Sequence, residues 1–126
     1  MLNNIKTYLV CSFILISGLI PQTVNSQERP SCEEQFNTWA LMYSCSQICE
    51  FDLNINQFIR DYGKQAKVAC SGKLTKSKIH ELLERNLIFV RDEYQEMREE
   101  LGEESGHDAF CSGMEELILD LQTRND

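Results

Sequence analysis

The stretch that decides the fold is residues 76–101, KSKIHELLERNLIFVRDEYQEMREEL. Its apolar side chains recur every three or four residues, which is the spacing of one face of an α-helix. Thr75 stands before the stretch as a helix N-cap, and Gly102 ends it. The pattern predicts one helix of about 39 Å, at 1.5 Å per residue. The apolar positions are Ile79, Leu83, Leu87, Val90, Tyr94, Met97 and Leu101.

Two shorter helical patterns precede this stretch. The first begins at Ser31, which forms a capping box with Glu34, and it fades near Glu50. The second takes Asn54 as its N-cap and stops at Gly72, a residue type suited to the left-handed position just past a helix. Both patterns place their aromatic and aliphatic residues at helical spacing.

A fourth helix follows the long one. We predict a loop at residues 102–108, GEESGHD, with Ser105 or Asp108 as the cap of the last helix. No segment after residue 26 alternates between apolar and polar residues over the length of a strand. The sequence therefore predicts an all-α fold, a small four-helix bundle stapled by disulfides.

Residues 1–26 predict a secretory signal peptide. Lys6 supplies the positive charge, residues 8–20 form the apolar run, and small or short side chains at Val24 and Ser26 suit a cleavage site. The alternative is a membrane anchor, but the run falls well short of the ~20 residues that a spanning helix needs. We expect a single helical domain at 27–126, secreted or periplasmic, with no membrane span after signal cleavage.

The remaining chain is acidic. Residues 1–26 contain one of the 12 Lys and Arg side chains and none of the 20 Asp and Glu side chains, so the other 100 residues carry a formal charge of −9. This sign argues against nucleic acid or an anionic lipid surface as the main partner, because both require basic surface. Among the macromolecular partners, proteins are the class that this charge does not disfavour.

Export gives the cysteines a structural meaning, because an oxidising compartment favours disulfides. No CxxC pair is present, which weakens a zinc-ribbon or thioredoxin-like interpretation. The number after residue 26 is odd, so one cysteine is left over. The five are Cys32, Cys45, Cys49, Cys70 and Cys111.

The bundle topology predicts the pairing. If the second helix runs back along the first, Cys70 returns to the level of Cys32, and these two should bond. The last helix brings Cys111 to the other end, near Cys49 and Cys45. The height along the helix slightly favours Cys49, but Cys45 stays open as the alternative. In the favoured pairing, Cys45 is the candidate for a free or intermolecular thiol.

Residues 52–63 match part of the pattern of a calcium-binding loop. Asp52, Asn54 and Asn56 match its first, third and fifth positions, but Gln57 replaces the required glycine and Gly63 the bidentate glutamate. We interpret these residues as a turn and helix cap. No metal or cofactor site is predicted.

His107 is the best catalytic candidate. With Glu104 or Asp108 as the orienting carboxylate, it could act as a general base in a small hydrolase. The simpler interpretation is that Asp108 caps the last helix and the glutamates are solvated. We therefore expect no catalytic residues and no enzymatic activity.

The charges are unevenly distributed. Residues 60–80 hold six basic side chains and one acidic side chain, part of which suits the negative end of a helix. Near the end of the long helix the excess is acidic, where carboxylates oppose the helix dipole. Four glutamates form a candidate docking face for a basic protein, with plain solubility as the alternative. They are Glu99, Glu100, Glu103 and Glu104.

The functional prediction is an exported small helical protein that acts by protein–protein binding, as an inhibitor, immunity factor or secreted effector. One alternative is the small hydrolase built on His107. Another is a structural protein of the envelope or extracellular space that forms a disulfide-linked homodimer. Protein binding is favoured because helix caps and solvated faces explain the polar residues, which leaves no credible set of catalytic residues.

Overall fold

The structure is a computed structural model that describes residues 31–125. Four helices and no strand are found among these residues, which confirms the all-α prediction. The predicted signal peptide, residues 1–26, lies outside the described residues. The helices are α1 (Cys32–Ser46), α2 (Leu53–Ala69), α3 (Lys76–Leu101) and α4 (Glu103–Asn125).

The four helices do not pack equally against one another. α1 packs along both α2 and α3, and α3 packs along α4. In this part of the chain, α2 and α3 hardly touch each other although both lie on α1. The two helices therefore leave a groove between them with α1 as its floor.

Two of the predicted N-caps are confirmed. The Ser31 hydroxyl accepts a hydrogen bond from the Glu34 amide at 3.1 Å, and the Thr75 hydroxyl accepts one from the Lys78 amide at 3.1 Å. Each bond satisfies an amide that the helix itself leaves without a partner. α3 spans the 26 residues that its apolar periodicity predicted.

The predicted cap of α2 is wrong. Asp52 is the N-cap, because its Oδ1 atom accepts a hydrogen bond from the Ile55 amide at 2.9 Å. Asn54 lies inside the first turn and is exposed. Both residue types cap helices well, but the carboxylate also interacts favourably with the positive end of the helix. Asn56 secures the preceding turn by donating to the Phe51 carbonyl at 3.0 Å.

The predicted loop at residues 102–108 is also wrong, since α4 begins at Glu103. Gly102 makes the reversal alone, with a φ angle of 96° that L side chains rarely adopt. Gly106 lets the two helices approach closely, because a Cβ there would lie 2.5 Å from the Arg98 Cα. Ser105 and Asp108 are therefore helical residues and not caps.

The buried face of α3 differs in its first half from the predicted stripe. Val90 and Met97 are buried as expected, but Leu82 and Asn86 replace Leu83 and Leu87 as the buried positions. The Asn86 side chain donates to Asn37 Oδ1 at 2.9 Å, so the buried amide joins α3 to α1. The sequence does not predict the burial of Asn86, because the periodicity of apolar residues cannot identify a buried polar side chain.

Two disulfides close the bundle at its ends. Cys32 bonds to Cys70 and Cys49 to Cys111, with Cα atoms 5.1 and 5.5 Å apart. These are the pairs that the antiparallel topology favoured. Cys45 takes part in neither bond, and its side chain is 1% exposed. An intermolecular disulfide through Cys45 would therefore require the core to open.

Candidate functional site

The groove between α2 and α3 has a volume of about 610 Å³, and its lining is mostly apolar. α1 forms its floor, and the two other helices form its walls. Two further depressions, one between α2 and α4 and one beside Cys111, present mainly polar surface. In chain order the groove is lined by Phe36, Trp39, Tyr43, Ser46, Asn56, Ile59, Arg60, Gly63, Lys64, Lys67, Ile79 and Leu83.

An aromatic row on α1 dominates the floor of the groove. The Trp39 ring stacks on Tyr43 with centroids 5.2 Å apart, and it meets Phe36 edge-on at 5.3 Å. Phe36 is buried and Trp39 is half-buried, whereas Tyr43 is 37% exposed. Aromatic side chains that offer a large apolar area to solvent are typical of protein interfaces.

Gly63 on α2 makes room for this row. A Cβ at residue 63 would lie 2.5 Å from Trp39 Nε1, closer than two such atoms can approach. The glycine therefore lets the indole lie against the α2 backbone. The sequence shows only a glycine that lowers the helix propensity of α2.

Three basic side chains border the α2 wall. Arg60, Lys64 and Lys67 are exposed and lie three or four residues apart, which places them on one face of the helix. None of the ion pairs formed within residues 31–125 involves these three residues. Only Lys67 lies in the last turn of α2, so the helix dipole does not account for the other two.

His107 has no carboxylate partner among the described residues. Its Nδ1 atom is hydrogen-bonded to the Tyr94 hydroxyl at 2.8 Å, and its Nε2 atom lies 3.8 Å from Cys111 Sγ. That sulfur belongs to a disulfide. Glu104 and Asp108 are exposed on the same helix, and no hydrogen bond or ion pair found within residues 31–125 joins either carboxylate to the imidazole. His107 and Asp108 both line the depression beside Cys111, whereas Glu104 does not.

The four predicted docking glutamates lie around the turn between α3 and α4, and all are exposed. Glu103 forms an ion pair with Arg98 at 3.3 Å. Because α4 begins at Glu103, this residue and Glu104 lie in its first turn, where carboxylates are stabilised by the helix dipole. A local role therefore accounts for two of the four. Glu99 and Glu100 still oppose the dipole of α3.

Among residues 31–125, no three side chains of His, Cys, Asp or Glu converge as ligands for a metal ion. Asp52 and Asn56 are engaged by the turn before α2. Across the same range none of the helices combines the length and apolarity that crossing a bilayer requires.

No protein-family model matches the chain, and no curated protein or solved structure is significantly similar to it. The apolar groove, its aromatic floor and its basic border are therefore the features from which a function is inferred.

Proposed function

We propose that the chain is an exported protein that acts by binding another protein. The observation that carries this proposal is the open groove with Trp39 and Tyr43 on its floor. An apolar groove exposed to water is unfavourable for a protein on its own, and covering it with a partner releases that free energy. An inhibitor, an immunity factor or a secreted effector would each use such a surface.

Export is supported by the disulfides and by the N-terminal sequence. Disulfides persist in oxidising compartments, and two of them link the helices of residues 31–125. The signal-like residues 1–26 agree with this compartment. We place the protein outside the cell or in a periplasm.

Two other functions, a hydrolase and a disulfide-linked dimer, have less support from the structure. A hydrolase built on His107 is less well supported, because Nδ1 is hydrogen-bonded to the Tyr94 hydroxyl and neither Glu104 nor Asp108 is hydrogen-bonded to the imidazole. A disulfide-linked dimer would need Cys45, whose burial opposes such a bond. The protein mass without reducing agent tests the dimer, and the monomer mass is the expected result.

Affinity capture from the extracellular or periplasmic fraction tests the proposal. Tyr43→Asp places a charge in the groove, and Ile88→Asp is the matched control because Ile88 is a 51% exposed residue of α3 outside the groove. We expect the wild type and the Ile88 variant to retain one protein partner that the Tyr43 variant loses. If no protein is retained, and a tested substrate is turned over in a manner that His107→Ala abolishes, the binding proposal is wrong.

A further inference from the structure

We propose that the groove binds an acidic amphipathic helix of the partner protein. This inference rests on the proposed function and specifies the chemistry of the partner. The apolar face of that helix lies on the aromatic floor, and its carboxylates face the basic side chains of α2.

The shape of the groove fits a short helix. Its α2 wall extends from Asn56 to Lys67, which corresponds to about 16 Å or three helical turns. Helices that bind in grooves use apolar residues three, four and seven positions apart as anchors. The aromatic side chains of Phe36, Trp39 and Tyr43 on α1 repeat with that same spacing.

The charges of the groove select an acidic partner. Arg60, Lys64 and Lys67 follow one edge, and none of the ion pairs formed among residues 31–125 uses them. Carboxylates spaced three or four residues apart on a bound helix would meet all three cations. Complementary charges of this kind raise the association rate and exclude partners of the wrong sign.

The overall charge argues against extended anionic surfaces. The chain after residue 26 carries a formal charge of −9, so a membrane or a nucleic acid would meet repulsion beyond the basic edge. A short acidic helix contacts the basic edge alone. A peptide is therefore favoured over lipid or nucleic acid.

Trp39 provides a direct readout because it is the single tryptophan of the chain and lies in the groove. The probe is a synthetic amphipathic helix of about four turns, with leucines on one face and glutamates flanking them. A second peptide carries lysine in place of each glutamate. A medium-chain fatty acid and anionic phospholipid vesicles serve as lipid probes.

We expect the glutamate peptide to change the Trp39 emission with saturation, and the lysine peptide to bind at least about tenfold more weakly. The affinity of the glutamate peptide should fall as salt rises from low to physiological concentration. The variant Lys64→Glu with Lys67→Glu should weaken binding by a similar factor. Glu103→Lys with Glu104→Lys is the matched control, since it reverses two charges at the α3–α4 turn, and it should not weaken binding.

Several outcomes would overturn the inference. Equal binding of the two peptides would mean that the groove does not select charge. Binding of the fatty acid or the vesicles, but not of the glutamate peptide, would identify a lipid ligand.

Partner capture with the surface variants separates this inference from the proposed function. If the captured protein partner is lost with the Glu103 and Glu104 reversals and kept with the Lys64 and Lys67 reversals, the binding function stands and its site is the acidic turn. If no protein partner is captured, and a tested substrate is turned over in a manner that His107→Ala abolishes, the proposed function itself fails. Far-UV circular dichroism establishes that each surface variant is folded.

Discussion

The indole nitrogen of Trp39 lies where a side chain at residue 63 would begin, since a Cβ at Gly63 would be 2.5 Å away. The absence of a Cβ lets α2 rest directly on the tryptophan of α1. In the interior of a helix, glycine costs about 1 kcal/mol relative to alanine. The close contact with Trp39 explains why the helix contains a residue with that cost.

We therefore predict that Gly63→Ala destabilises the protein despite its better helix propensity. Displacing a packed ring typically costs about 1–3 kcal/mol, which outweighs the gain of about 1 kcal/mol from alanine. Urea unfolding followed by circular dichroism measures the change. In a Trp39→Phe background the smaller ring relieves the clash, so the same substitution should be much less harmful. Equal effects in both backgrounds would contradict the proposed contact.

The cap of α2 gives a matched comparison. Asp52→Ala should lower the free energy of unfolding by about 1 kcal/mol, because the Ile55 amide loses its acceptor. Asn54→Ala should change it by less than about 0.5 kcal/mol, because that side chain is exposed inside the first turn. Denaturant unfolding of the two variants measures both values. A larger loss for the Asn54 variant would restore the cap that the sequence predicted.

The buried amide of Asn86 should also contribute measurably. Asn86→Ala removes the hydrogen bonds that its amide donates to Asn37 Oδ1 and to the Leu82 carbonyl, so we expect a loss of roughly 1–3 kcal/mol. Glu84→Ala is the control, since Glu84 is exposed on the same helix and should change little. Thermal and urea unfolding compare the two. A neutral Asn86 variant would mean that the bond adds no net stability.

Peptide mapping without reduction tests the disulfides. We expect one linked pair with Cys32 and Cys70 and another with Cys49 and Cys111. Replacing either pair by alanine should cost a few kcal/mol, within a range of about 2–5, because each bond closes a long loop in a small domain. A linkage between Cys45 and Cys111 would show that α4 packs at a different height on α1.

The buried phenol of Tyr62 should lower the free energy of unfolding at alkaline pH. Burial raises its pKa above the ordinary value of 10.0, and a hydrogen bond with Thr38 lowers it by less. Below pH 10 the phenol is protonated in both states. Above that pH the unfolded chain ionises first, so the folded state loses stability until the pH passes the raised pKa.

The variant Tyr62→Phe should therefore lose less stability than the wild type between about pH 9 and pH 11. The pKa of Lys78 is raised by its hydrogen bond and ion pair with Glu81 and by Glu33. Its ion pairs therefore also contribute stability that is lost as the pH rises. That contribution is present in both proteins and cancels in the comparison. Equal slopes of unfolding free energy against pH would show that Tyr62 makes no contribution.

Local chemistry explains which features could be predicted from the sequence. Ser31 and Thr75 cap their own helices through residues three positions later, and the apolar spacing of residues 76–101 reports one helix. These interactions involve near neighbours in the chain, so the order of residues contains them. The Cys32–Cys70 pair could be predicted as well, since helix lengths and reversals limit where each cysteine can lie, whereas for Cys111 the sequence favoured Cys49 without excluding Cys45.

The amino-acid sequence by itself determined four helices, their approximate ends and the ends of the bundle at which the cysteines meet. Only the tertiary structure decided that one residue, Gly102, turns α3 into α4, and that Asn86 rather than Leu87 faces the core. It also decided the groove, because Trp39 and Gly63 meet only after α1 and α2 have packed. The physical reason is that caps and periodicity depend on neighbouring residues, whereas the separation of α2 from α3 depends on how side chains from three helices fill the space between them.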